Sequence, residues 1–419
     1  MSISPATLVV KLYILYLFIA PVSSILLYVN QESTSVDLLV FIPLFVAILI
    51  LQRSSSFSGL QASRRGNVAS TFDALMRVIS RLMLLLSFVN LFAYSPPSDM
   101  LESIKYLLPY LNIFLVFSIP SRALESLVFL LADSIVKHSV VISAWFLACV
   151  LAYFFYFKPG GMAIVEGFSL PSIALAAYPF WQYKHYLASF LLLLSVVFTN
   201  KRTSFLVIAS LFFVHSAISS FITMRKGRLS LYVLIPVLLT VLGGYFVVHA
   251  TVSRFGVLVD PSPSDLGAGF SQLDYLTSGR TCEYASLLSH VSRQNLFAMV
   301  TGTGLVTFNI VCPGSSYSHT YVHSVPLVMF QQVGILGLAA WLLMFLGVLM
   351  GFGRFLIASM LFGGKFSPSD TSQLACLLSL STAFIVMFTS LSGFSFRYEI
   401  VGLLFVRYSF LVRARAVTG

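Results

Sequence analysis

Three side chains stand out by type and position. Arg202 closes an apolar block within Lys201-Arg202-Thr203-Ser204. Arg280 sits in Ser278-Gly279-Arg280, inside a long polar segment, and His323 opens a later apolar block within Tyr321-Val322-His323-Ser324. Two converging arginines make a clamp for a diphosphate, because guanidinium is permanently charged and grips phosphate oxygens bidentately. A diphosphate that departs without metal needs such charge stabilisation in the transition state. Imidazole titrates near neutral pH, so His323 is suited to take the proton of an attacking hydroxyl. Taken singly, each type also has an ordinary use: an outer arginine as a headgroup contact, a lone histidine as a hydrogen-bonded structural residue.

Other chemistries fit less well. His319 and His323 are spaced i, i+4, as a ligand pair on a helix would be. No third ligand lies near them, and Asp260, Asp265, Asp274 and Glu283 are scattered. Neither a metal nor another cofactor is expected. Gly302-Thr303-Gly304 lacks the Gly-Lys-Ser/Thr that completes a phosphate loop, and is expected to form a tight turn after a loop helix over 281–291. Lys201, His319, Tyr284 and Tyr321 are the expected substrate contacts. Tyr275 and Tyr317 are further stacking candidates, although tyrosine is also the usual interface anchor.

The elements that position these residues follow from composition. The chain has 419 residues, 58% hydrophobic and only 9% charged, with mean hydropathy +0.94. Soluble domains carry about 25% charged residues, so the class expected is a polytopic membrane protein. Its apolar blocks are continuous rather than alternating, which points to an all-α bundle and excludes a β-barrel. The net charge of +11 sits mostly at block ends, where it sets topology, so no nucleic-acid partner is expected. The first block is followed by no small-residue cleavage site and is read as a retained span.

The blocks predict about twelve spans in a single membrane domain over 1–419. They run roughly over 8–28, up to 52, 72–94, 104–117, 140–157, 164–181, 187–198, 205–222, up to 249, 326–350, 374–391 and up to 413. Residues 123–137 read as an amphipathic helix in the interface. The basic joints Arg53–Arg65 and Arg225–Arg228 are cytoplasmic by the positive-inside rule, which puts both termini inside. The one large loop, 251–322, then lies outside. Lys201-Arg202 also comes out on the outer face, against the charge bias, which points to a functional reason. Cys149 and Cys376 fall within apolar blocks. Cys282 and Cys312 share the loop, where a disulfide and two free thiols fit equally.

The order Lys201-Arg202-Thr203, Ser278-Gly279-Arg280, Gly302-Thr303-Gly304 and His323-Ser324, with nine residues to Gly334 and then Gly337, resembles the O-antigen polymerase and O-antigen ligase superfamily. The resemblance covers roughly residues 180–345; many members have Asn where this chain has Ser324. It implies a GT-C-like bundle in the bacterial inner membrane with its site facing the periplasm. It implies a glycan on undecaprenyl diphosphate as donor, transferred en bloc to a hydroxyl with inversion and without metal or nucleotide sugar. Arg202 and Arg280 would bind the diphosphate, and His323 would activate or position the acceptor hydroxyl.

The leading expectation is a polymerase of lipid-linked repeat units of O-antigen, capsule or exopolysaccharide, with a chain-length regulator as a possible partner. The alternative is a ligase that moves the glycan to lipid A-core. A flippase or transporter would need functional charges within spans and an internal repeat; the sequence shows no clear repeat and few charges near span centres.

Overall fold

The computed structural model describes residues 4–30, 42, 45–51, 68–94, 100–153, 155, 186–199, 287, 293, 295–304, 310–311, 318–319, 324–361 and 400–411. The described chain is almost wholly helical: α1 (Pro5–Asn30), α2 (Val68–Tyr94), α3 (Met100–Ser118), α4 (Ser121–Lys137), α5 (Ser139–Ala152), α6 (Tyr186–Thr199), α7 (Leu296–Thr301), α8 (Val325–Val333), α9 (Ile335–Leu361) and α10 (Ile400–Leu411). The departure from an all-α chain is a two-residue antiparallel ladder, β1 (Ile310–Val311) with β2 (Ser318–His319).

Helix α2 shows how the sequence sorts its faces. Asp73, Met76, Ser80, Met83, Ser87 and Asn90, spaced three or four residues apart, are buried. On the other side Leu75, Val78, Leu82, Leu85, Val89 and Phe92 are exposed, and Arg81 is the one charged side chain exposed among them. That is the reverse of a water-facing helix, whose exposed side is polar. The stretch Thr71–Ala93 is long and apolar enough to cross a bilayer by length and composition; its 23 residues span about 35 Å. Helices α4 and α5 pass the same test only together, bent by 64° between Ile135 and Ser139. The spans expected at 164–181, 205–222, up to 249 and 374–391 lie outside the described residues.

Helix α10 is the hub of the described bundle. It touches α2, α3, α4 and α9, and Leu403, Leu404, Phe405, Val406, Arg407, Tyr408 and Ser409 are all buried. A helix apolar on nearly every side suits either lipid or a protein interior, and the burial of these residues makes α10 an interior one. Its one charge, Arg407, is fully buried. The guanidinium donates from Nε to Asp73 Oδ1 at 2.8 Å and from Nη1 to the Val116 carbonyl, and lies 5.8 Å from the Phe117 ring centroid. Asp73 also accepts from Arg77 one turn along α2. Three helices are thus joined around one ion pair.

The amphipathic helix expected over 123–137 is α4, and its apolar face is turned to protein: Leu124, Leu127, Val128, Leu131 and Ile135 are buried in the core, where the helix packs against α1 and α10. One expectation changes. The expected span over 326–350 is two helices, α8 and α9, broken at Gly334.

Candidate functional site

The break at Gly334 organises the described part of the site. A helix end leaves its last four carbonyls without intrahelical partners, and buried carbonyls must be paired. At the end of α8 the helix's own cap supplies one partner and other elements supply the rest. The Gly334 N–H reaches the Phe330 carbonyl at 2.9 Å. The Gln331 carbonyl accepts from the Thr303 N–H at 2.7 Å and from its hydroxyl at 3.2 Å. The Gln332 carbonyl accepts from the Asn90 amide at 2.7 Å. The second N–H of that amide goes to the Thr301 carbonyl at 2.8 Å, at the end of α7. Asn90 therefore spends both donors of one side chain on two helix C-termini. The Gln332 side chain is held as well, by the Tyr110 hydroxyl of α3 at 2.8 Å.

Glycine makes this contact possible. Gly302 has φ 88° and ψ 176°, and Gly334 has φ 67° and ψ −153°, a region essentially confined to glycine. A Cβ on Gly302 would overlap the Gln332 carbonyl, and one on Gly334 would overlap the Val300 carbonyl. Backbone thus lies directly on backbone where α7 meets the break. Gly337 is equally confined, against the Met329 carbonyl.

The arrangement closes the exit of the long polar segment. Residues 295–304 are fastened to the end of α8, β1 pairs with β2 so that Ile310 faces His319, and Ser324 returns the chain to the start of α8. Ser324 is buried and extended, with φ −150° and ψ 114°, and its carbonyl accepts the Val328 N–H at 2.9 Å. His323 is joined covalently to it.

Of the residues singled out in the sequence, His319 is described, in β2. Arg202, Lys201, Arg280, Tyr284, Tyr321 and His323 lie outside the described residues, as do Tyr275, Tyr317, Cys282 and Cys312. Within 281–291, Leu287 is described; it is helical and buried. The expected turn at Gly302-Thr303-Gly304 is present and follows α7. Cys149 is buried in α5. Sequence reasoning missed Asn90, Tyr110, Gln331 and Gln332, and the pair Asp73–Arg407. The signal was there: each is a polar residue inside an apolar block, where it must find a partner.

Compared with known proteins, the chain matches no family model and no curated protein.

Proposed function

We propose that this protein is a membrane glycosyltransferase that polymerises glycan repeat units carried on undecaprenyl diphosphate. The observation that carries this reading joins a sequence spacing to a structural unit. Nine residues separate His323-Ser324 from Gly334, and those nine are helix α8, Val325–Val333. One end of α8 adjoins the candidate base. The other end is the glycine break to which the loop is fastened. The spacing on which the family resemblance rests thus has a mechanical meaning in this chain: it sets the distance between His323 and the fastening point of its own loop.

The largely apolar outer face of α2, with Asp73, Ser80, Ser87 and Asn90 turned inward, supports a bundle embedded in lipid. On this reading the single domain over 1–419 has about twelve spans, with both termini cytoplasmic and the 251–322 loop facing the periplasm. The buried charge of Arg407 offers a transporter reading little, because Asp73 neutralises it and the Val116 carbonyl takes a further donor.

In the proposed reaction the acceptor hydroxyl attacks the anomeric carbon of the donor glycan. The bond from that carbon to the diphosphate oxygen breaks, and the configuration inverts. The hydroxyl proton passes to His323. Arg202 and Arg280 hold the charge that grows on the departing undecaprenyl diphosphate, and fixed positive charge at that point does most to lower the barrier of such a transfer. Lys201, His319, Tyr284 and Tyr321 line the substrate path. No metal or other cofactor takes part. The acceptor is a glycan on the same carrier, and a chain-length regulator is a fitting partner.

The test is the polymer itself. Arg202→Ala, Arg280→Ala and His323→Ala should each abolish the polymer ladder while membrane levels of the protein stay unchanged. A normal ladder from all three variants would overturn the site. Glycan found on lipid A-core, with no elongation on the carrier, would make the protein a ligase of the same chemistry.

A further inference from the structure

We propose that α7 is inserted into the apolar edge of the bilayer, so that the long polar segment is anchored in acyl chains near its end rather than lying wholly in water.

The first observation is the surface of α7. Its sequence is Leu-Phe-Ala-Met-Val-Thr, and none of its residues is buried. Leu296 is 77% exposed and Phe297 67%, with Met299 and Val300 exposed beside them. A short helix does not hold itself together in water, and contiguous exposed apolar side chains mark a surface meant for an apolar partner.

The second observation is depth. The Thr301 carbonyl is held by Asn90, which lies three residues inside the end of the apolar stretch Thr71–Ala93. At 1.5 Å of rise per residue that is about 4.5 Å below the end of the stretch. The hydrogen bond sets α7 level with the last turn of a helix whose outward face is lipid-compatible.

The third is the character of the neighbouring helices. Val89 and Phe92, on either side of Asn90 in sequence, are 52% and 70% exposed, and Ile335, just after the break that α7 packs on, is 53% exposed. The helix that holds α7 by a hydrogen bond and the helix it packs on therefore both present exposed apolar side chains. Several polar groups at the two ends of α7 are also paired, as hydrocarbon demands. The Thr301 hydroxyl donates to the Phe297 carbonyl at 2.9 Å, the Asn295 side chain accepts the Ala298 N–H at 2.9 Å, and the Gly302 N–H donates to the Ala298 carbonyl at 2.8 Å.

The occupant is the bilayer's own acyl chains. This rests on α2 crossing the membrane and is independent of the transferase reading. Phe297→Trp and Leu296→Trp, each compared with the parent protein in vesicles, add one emitter at an exposed position that tolerates the larger ring. Phe92→Trp on α2 is the reference. The expected result is loss of the added emission when the vesicles carry acyl-brominated phosphatidylcholine, comparable with the loss for Phe92→Trp, and little loss with aqueous iodide. Quenching of the α7 tryptophans by iodide, or by neither agent, while Phe92→Trp responds to bromolipid, overturns the insertion of α7 alone. Failure of Phe92→Trp as well overturns the membrane reading and this inference with it.

Discussion

Asn90 and Gln332 lie 242 positions apart in the chain, and the amide of one caps the carbonyl of the other at 2.7 Å. Gln332 lies in the last turn of α8, and Asn90 sits on the buried face of α2. A broken helix in an apolar bundle is stable only where something re-satisfies the freed backbone groups. Here one asparagine does so for α8 and, through Thr301, for α7 as well. The segment that leads to His323 is thereby fixed to the bundle at a point the bundle itself supplies.

Replacing Asn90 should separate that fixing from folding. Asn90→Leu leaves the buried Gln332 carbonyl without its donor, at about 1–3 kcal/mol, and the half-buried Thr301 carbonyl as well, at less. Asn90→Asp is of similar size but sets carboxylate oxygens against the same two carbonyls, and should be worse. Both variants should lower the thermal midpoint of the detergent-solubilised protein and thin the polymer ladder per molecule inserted. Tyr110→Phe removes only the hydroxyl on the Gln332 side chain and should fall between Asn90→Leu and the parent. Equal midpoints for parent and Asn90→Leu would remove the asparagine from this role.

The glycines make a sharper set, because one of them is a built-in control. Gly302→Ala and Gly334→Ala put a Cβ into a backbone region that costs an L-residue on the order of 1–3 kcal/mol, and drive it into a facing carbonyl. Gly337→Ala meets the Met329 carbonyl without the torsional penalty. Gly353, also in α9, has nothing within 4 Å of where its Cβ would stand, so Gly353→Ala should be neutral or stabilising by up to about 1 kcal/mol through helix propensity. The expected order of thermal midpoints is Gly353→Ala at or above the parent, Gly337→Ala below it, and Gly302→Ala and Gly334→Ala lowest. A low midpoint for Gly353→Ala would contradict the packing described.

The helices were legible because their apolar runs are long, and the turn at Gly302–Gly304 was legible because two glycines flank a hydroxyl residue after a short apolar run. The break at Gly334 was not. A glycine inside an apolar block costs a helix only about 1 kcal/mol, so sequence alone cannot separate a kink, a close approach and an ordinary helical position. Gly334 and Gly353 look alike in sequence and differ entirely in surroundings. The hub role of α10 was hidden for another reason. A helix that is apolar on all sides reads the same whether it faces lipid or protein, and lipid is the default assumption for a span. Arg407 was the clue, since a charge in such a helix must face a partner within the bundle. Asp73 lies 334 positions away, and no local pattern connects the two. Arg202, Arg280 and His323 rest on residue type and order, whereas the frame around Ser324 and Gly334 rests on described contacts.

The Asp73–Arg407 pair yields the last prediction, in which sign matters more than size. Removing one partner of a buried pair strands the other charge, at about 3–5 kcal/mol, while replacing both with apolar residues of similar volume is often neutral or better. Arg407→Met leaves Asp73 with Arg77, whose side chain is 40% exposed, so its loss is partly relieved. Asp73→Leu leaves Arg407 fully buried with the Val116 carbonyl and the Phe117 ring, and also releases Arg77. Asp73→Leu should therefore be the more damaging single change, and Asp73→Leu with Arg407→Met should recover much of the loss. The three variants form a cycle that thermal melts in detergent can close. Recovery in the double variant together with a full polymer ladder would make the pair a fastening of α2 to α10 and nothing more. Recovery of stability without the ladder would mean that the charge takes part in function, and would return the intramembrane charge to the centre of the mechanism.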